Sequence, residues 1–162
     1  TPEIFSKKVA TQPYSLLHFA GHGYFDGGEP CDCGLVLAQR RIVFGEELER
    51  VVEGEPFVFL SACQAGAGKT KRSQAHFRGK YAEGVAISAL LGGATGCLSP
   101  MWVIPDGIAK DFALEFYKRL LEEMPIGEAV RRARVWAKSQ GDPDFWAAWI
   151  LCGEPLKELT LP

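Results

Sequence analysis

Four apolar runs constrain the fold of this chain more than anything else in it: Tyr14–Ala20, Pro56–Ala62, Thr95–Ile104 and Trp146–Cys152. Each is apolar along its whole length rather than at alternate positions, and stretches with helical spacing separate them. A strand with one wet face alternates, whereas a strand covered on both faces does not. The pattern therefore predicts an α/β chain with a mainly parallel sheet sandwiched between helices, a three-layer arrangement. The predicted helices are Gly45–Val52, Tyr81–Leu91, a segment carrying Ile108, Phe112, Ala113, Phe116 and Leu120 on one face, and Ile126–Ser139. In the last of these Ala129, Val130, Ala133 and Ala137 share one side and arginines the other. Ile4, Phe5, Val9 and Ala10 predict a further short helix that stops at Pro13. Leu35–Leu37 and Arg41–Phe44 read as a small hairpin. The Gly- and Pro-rich stretch from Gly23 to Gly34 reads as loop, and so does Gly66–Lys80 with its five cations.

Composition removes several function classes. Lys and Arg number 18 against 20 Asp and Glu, a net charge of −2, without the basic excess of a dedicated nucleic-acid binder. No apolar stretch is long enough to span a bilayer. Thr1–Ala10 carries Glu3, Lys7 and Lys8 and has no apolar centre, so it does not read as a signal peptide. Of five cysteines, Cys63, Cys97 and Cys152 lie in apolar runs, where cysteine behaves as a small hydrophobe. That usage predicts a reducing compartment and a cytoplasmic location.

In parallel sheets the reactive groups collect beyond the strand C-termini. That rule selects the turn Gly21-His22-Gly23 after the first apolar run and Cys63-Gln64-Ala65-Gly66 after the second. Glycines flanking His22 let the imidazole and backbone amides approach a ligand closely. A histidine at one strand end and a cysteine at its neighbour can share the thiol proton, giving a thiolate that attacks a carbonyl. Taken singly, each has a commoner reading, as a surface histidine and a strand-end cysteine. Taken together at adjacent strand ends, they form a candidate catalytic dyad.

The segments HFAGHG (His18–Gly23) and LSACQAG (Leu60–Gly66) resemble the two signatures of CHAT domains, members of the caspase–separase group of cysteine peptidases that are often fused to tetratricopeptide repeats. The resemblance extends through GLVLA, LSPMWVIPD and the closing FWAAWILCGEP, which is nearly the whole chain. It implies a caspase-like fold, a cysteine endopeptidase acting on protein substrates, and regulation by a partner or a fused repeat region. It implies His22 and Cys63 as the catalytic pair, and the amides of Gly23 and Cys63 as the oxyanion hole. Asp106 would line the substrate pocket and favour a basic P1 side chain by charge-assisted pairing. Gly107 and Ile108 follow it where the family often has more acids, and Asp106 also reads as a helix N-cap. Asp26 is a second acidic candidate for substrate binding. No cofactor, metal, membrane or nucleic acid enters this chemistry.

Three rival readings compete with this one. Gly68-Lys69-Thr70 ends in the manner of a phosphate loop, but Cys63 stands where that loop needs its first glycine. His18, His22, Cys31 and Cys33 offer metal-ligand types without metal-site spacing, and His18 is expected to be a buried histidine satisfied by backbone. A catalytically silent interaction module with the same fold is the third. The count of main-sheet strands comes to about four, against the usual five or six. The resembled fold places two strands and a helix before this segment. The expectation is therefore the C-terminal catalytic portion of a larger domain, lacking its first strands, with residues 66–80 a flexible basic loop.

Overall fold

The computed structural model describes residues 14–25, 33–51, 54–64, 85–141 and 144–159. The expected N-terminal helix, Asp26, Cys31 and the basic stretch 66–80 lie outside these residues. The described elements in chain order are β1 (Leu16–Phe25), β2 (Cys33–Val36), a 3-10 turn (Ala38–Arg40), β3 (Ile42–Phe44), α1 (Gly45–Val51) and β4 (Phe57–Gln64). They continue with α2 (residues 85–91), β5 (Gly96–Pro100), α3 (Asp106–Leu121), α4 (Ile126–Ser139), a second 3-10 turn (Phe145–Ala147) and β6 (Trp149–Gly153).

One six-stranded sheet runs in the order β3-β2-β1-β4-β5-β6. β1, β4 and β5 are parallel neighbours, while β2, β3 and β6 are antiparallel to the strands they join. The expected α/β class holds. The strand count does not: the β2–β3 hairpin extends the main sheet instead of standing apart from it, and this brings the sheet from the expected four strands to six. The first strand also runs further than expected. Gly21-His22-Gly23 is not a turn, because β4 pairs with it on one side and β2 takes up His22 to Phe25 on the other. Ladder hydrogen bonds from both neighbours override the turn preference of the two glycines.

The lack of alternation in β4 has the cause that its sequence implies. Phe57 and Phe59 enter one core with α3 and α4. Val58, Leu60 and Ala62 enter the opposite core with Leu48 of α1 and with Val85, Ala86 and Ala89 of α2. The first core is aromatic at its centre. Phe112 stacks on Trp149 with ring centroids 4.2 Å apart, and Phe59 meets Phe116 edge-on at 5.4 Å and Trp149 at 5.5 Å. α4 buries Ile126, Ala129, Val130, Ala133 and Ala137. The small residues on that stripe let α4 lie close against α3.

Two local features bear on the site. Along Leu16–Gly21, β1 has a strand neighbour only on the β4 side among the described residues, since pairing with β2 begins at His22. α3 starts at Asp106, and its N-cap position is held by Pro105 with no side-chain cap bond. The N-cap reading of Asp106 is thus corrected. The extended conformation of Pro105 ends the preceding loop, and Asp106 enters the first helical turn, where a carboxylate complements the helix dipole.

Candidate active site

β1 and β4 run parallel in continuous register from Leu16↔Phe57 to Gly23↔Gln64, and within that register His22 is the direct partner of Cys63. Neighbouring strands lie about 4.8 Å apart. The two candidate catalytic residues therefore occupy facing backbone positions at the C-terminal ends of adjacent strands. Position 63 falls on the same face of β4 as Ser61, and Ala62 belongs to the other face, inside the second core. The oxyanion candidate Gly23 is the buried next residue of β1, flanked by Leu35 of β2 and Gln64 of β4.

Over that face lies a cavity of about 630 Å³ between β1 and α3. Its β-sheet side is made by His18, Ala20, Gly21, His22 and Ser61. Its helix side is made by Asp106, Ala109, Lys110, Ala113, Leu114 and Tyr117, with Val103 and Ile104 at the end nearest the strand C-termini. Alanine at positions 20, 109 and 113 leaves the space open. Period-2 spacing on β1 aims His18, Ala20 and His22 at one face. The helical spacing 106, 110, 113, 117 aims four residues of α3 back at them. The structure thus brings His22 and Asp106 to one cavity. Asp106 makes no ion pair among the described residues. A carboxylate without a partner, in a largely apolar cavity, is available to a cationic side chain entering it.

The sequence reading missed Tyr117 and Lys110 as parts of this cavity. The i, i+4, i+7, i+11 spacing that starts at Asp106 was the available signal. It also misplaced His18. This residue is exposed, its ring stacks on Phe59 at 4.5 Å with planes 8° apart, and its Nδ1 is hydrogen-bonded at 2.6 Å to the hydroxyl of Tyr117 rather than to backbone. Among the described residues no second strand pairs with β1 at this position. Packing against this aromatic wall desolvates both groups. It lowers the His18 imidazole and raises the Tyr117 phenol, so that both are neutral near pH 7.

A pH dependence follows from His18. The unfolded chain takes up a proton near the ordinary value of 6.5, whereas the folded chain takes it up only at lower pH. The stability contributed by the neutral ring is therefore fully present above that value and is lost as the pH falls below it. Urea unfolding from about pH 8 to about pH 5 will show a drop that is smaller in His18→Gln than in the unaltered protein. An equal drop in both would mean that other groups carry it.

Cys97 and Cys152 are unlike a nucleophile. Cys97 is fully buried in the second core, and burial pushes its thiol far up. Its register partner Cys152 is partly buried. Among the described residues no group of three or more His, Cys, Asp or Glu is placed to hold a metal ion, and no helix is long and apolar enough to cross a membrane.

The family model for the CHAT domain matches residues 1–154. A search of the curated proteins returns no match.

Proposed function

Because the chain belongs to the CHAT domain family, a family related to caspase-like cysteine peptidases, we propose that it is a cysteine endopeptidase working through Cys63 and His22. The observation that carries this reading is the register: the two residues face each other across β1 and β4, beside a cavity that Asp106 enters. The Cys63 thiolate attacks the scissile carbonyl carbon, and the carbonyl π electrons move onto oxygen. The amides of Gly23 and Cys63 receive that oxyanion. His22 holds the thiol proton and returns it to the departing amine as the C–N bond breaks. Water then hydrolyses the thioester and restores the thiol. No cofactor is needed at any step.

Asp106, with Asp26 as a second acid, would select the P1 side chain. Asp106 is exposed, where an ion pair contributes about 0.2–1 kcal/mol, so a peptide library varied at P1 will modestly favour Arg and Lys. In Asp106→Asn that preference falls by up to about fivefold while other P1 residues change little. An unaltered preference removes Asp106 from the pocket.

The buried, unoxidised thiol of Cys97 supports the reading of a reducing, cytoplasmic setting. Among the described residues no second strand pairs with β1 over Leu16–Gly21, and this supports the reading of this chain as the catalytic portion of a longer domain. On that reading a strand and a regulatory region, such as tetratricopeptide repeats, come from outside residues 14–159. The direct test is a thiol-reactive peptide warhead followed by mass mapping. Labelling confined to Cys63 and dependent on His22 sustains the proposal, and equal labelling of all five cysteines ends it.

A further inference from the structure

The chain is net acidic, yet α4 concentrates cations: Arg131, Arg132, Arg134 and Lys138 stand against one carboxylate, Glu128. That carboxylate is already taken. Arg131 donates to it from both Nε and Nη2, at 2.7 and 2.8 Å, and Arg132 donates from Nε at 2.7 Å. Arg134 and Lys138 have no carboxylate partner among the described residues. Both are held over the indole of Trp146 instead, with Lys138 Nζ 4.8 Å and Arg134 Cζ 5.9 Å from its centroid. Arg134 Nε also donates to the Trp146 carbonyl at 3.3 Å. One aromatic ring thus fixes two cations side by side, a turn apart, and leaves their charge unneutralised.

Beside them a groove of about 450 Å³ runs between α4 and β6, floored by Val130, Val135, Leu151 and Trp146. Val135 is 58% exposed, an apolar side chain that water surrounds unless something covers it. β6 lies at the far edge of the sheet from β1, with β4 and β5 between them. The groove is therefore remote from the β1–α3 cavity and owes nothing to the proposed peptidase activity.

We propose that the α4–β6 groove docks an acidic peptide segment of a partner protein, in which carboxylates alternate with apolar side chains. The carboxylates meet Lys138 and Arg134, and the apolar side chains enter over Val130, Val135 and Leu151. Charge complementarity selects this occupant over a nucleic acid. Two free cations are few for a polyphosphate backbone, and an aliphatic floor offers nothing to it. A peptide uses both the cationic rim and the apolar floor.

The test uses the whole chain and a fluorescent short peptide alternating glutamate with leucine, read by anisotropy. Saturable binding will weaken with added salt. It will fall about tenfold or more in Lys138→Glu and in Arg134→Glu, where charge attraction turns to repulsion. Val135→Ser, which removes only apolar contact at an exposed position, will also weaken it. Lys118→Glu, the same charge change on α3, will leave it unchanged. Circular dichroism and an unchanged urea midpoint establish that each variant is folded. The proposal is overturned if the peptide does not bind, if Lys118→Glu weakens it as much as Lys138→Glu does, or if a single-stranded oligonucleotide of equal charge binds as tightly.

Discussion

Cys63→Ala will lose all selective reaction with a peptide warhead and fall to the uncatalysed background in peptide cleavage, while His22→Ala will separate the two readouts. An ordinary thiol is only a few per cent thiolate at neutral pH, so a histidine that takes up its proton can raise the reactive fraction by at most roughly thirtyfold. Loss of His22 should therefore slow labelling by about that factor. Cleavage asks more of the histidine, because the leaving amine must also be protonated. General acid–base assistance contributes about 10²–10⁴-fold, so cleavage should fall further than labelling does. Raising the pH restores labelling in His22→Ala by ionising the thiol directly, but it does not restore cleavage. The other thiols give an internal reference. Cys97, buried and with its thiol pushed up, will remain unlabelled in the folded protein. If His22→Ala labels as fast as the unaltered protein at neutral pH, the facing positions of β1 and β4 have no chemical meaning and the dyad is rejected.

How much of this was legible in the residues differs from element to element. β4 declared itself, because a run apolar at every position has one good explanation, burial on both faces. α4 was also fully readable, since its alanines recur at helical spacing and its arginines fill the other side. The ends of β1 and β4 were not readable in the same way. Glycine beside His22 is a turn signal by local propensity, and the non-local strands β4 and β2 supply the partners that hold those residues in a strand. The pairing of positions 22 and 63 does not depend on a turn, because the register between β1 and β4 brings them together. His18 was misread for a related reason. A histidine in an apolar run reads as core, but whether its outer side is covered depends on the strand edge, which no local pattern reports. Tyr117 could not be paired with it from the sequence, since the contact spans 99 residues.

Phe59→Ala will unfold the protein more readily than any single change at the cavity surface, and it will damage the site as well. Phe59 is fully buried. Its ring meets Phe116 and Trp149 edge-on and carries the stacked ring of His18 on one face. Removing a buried phenyl group costs about 3–5 kcal/mol, from lost burial and from a void that a rigid aromatic cluster cannot close. The expected result in urea is a midpoint moved far down with little change in slope. At half that penalty the folded population still dominates, so the second consequence is measurable. Without the phenyl floor His18 loses its stacking partner, and its imidazole becomes more hydrated, so its pKa rises back towards the ordinary value. A histidine titration by NMR resolves this shift separately from the loss of stability. Phe59→Leu keeps most of the volume and will lose far less stability, yet it removes the stacked face and will still move His18. A stability loss below about 1 kcal/mol in Phe59→Ala would mean that the aromatic cluster does not hold α3 against the sheet. The placement of Asp106, Lys110 and Tyr117 opposite β1 would then need another cause.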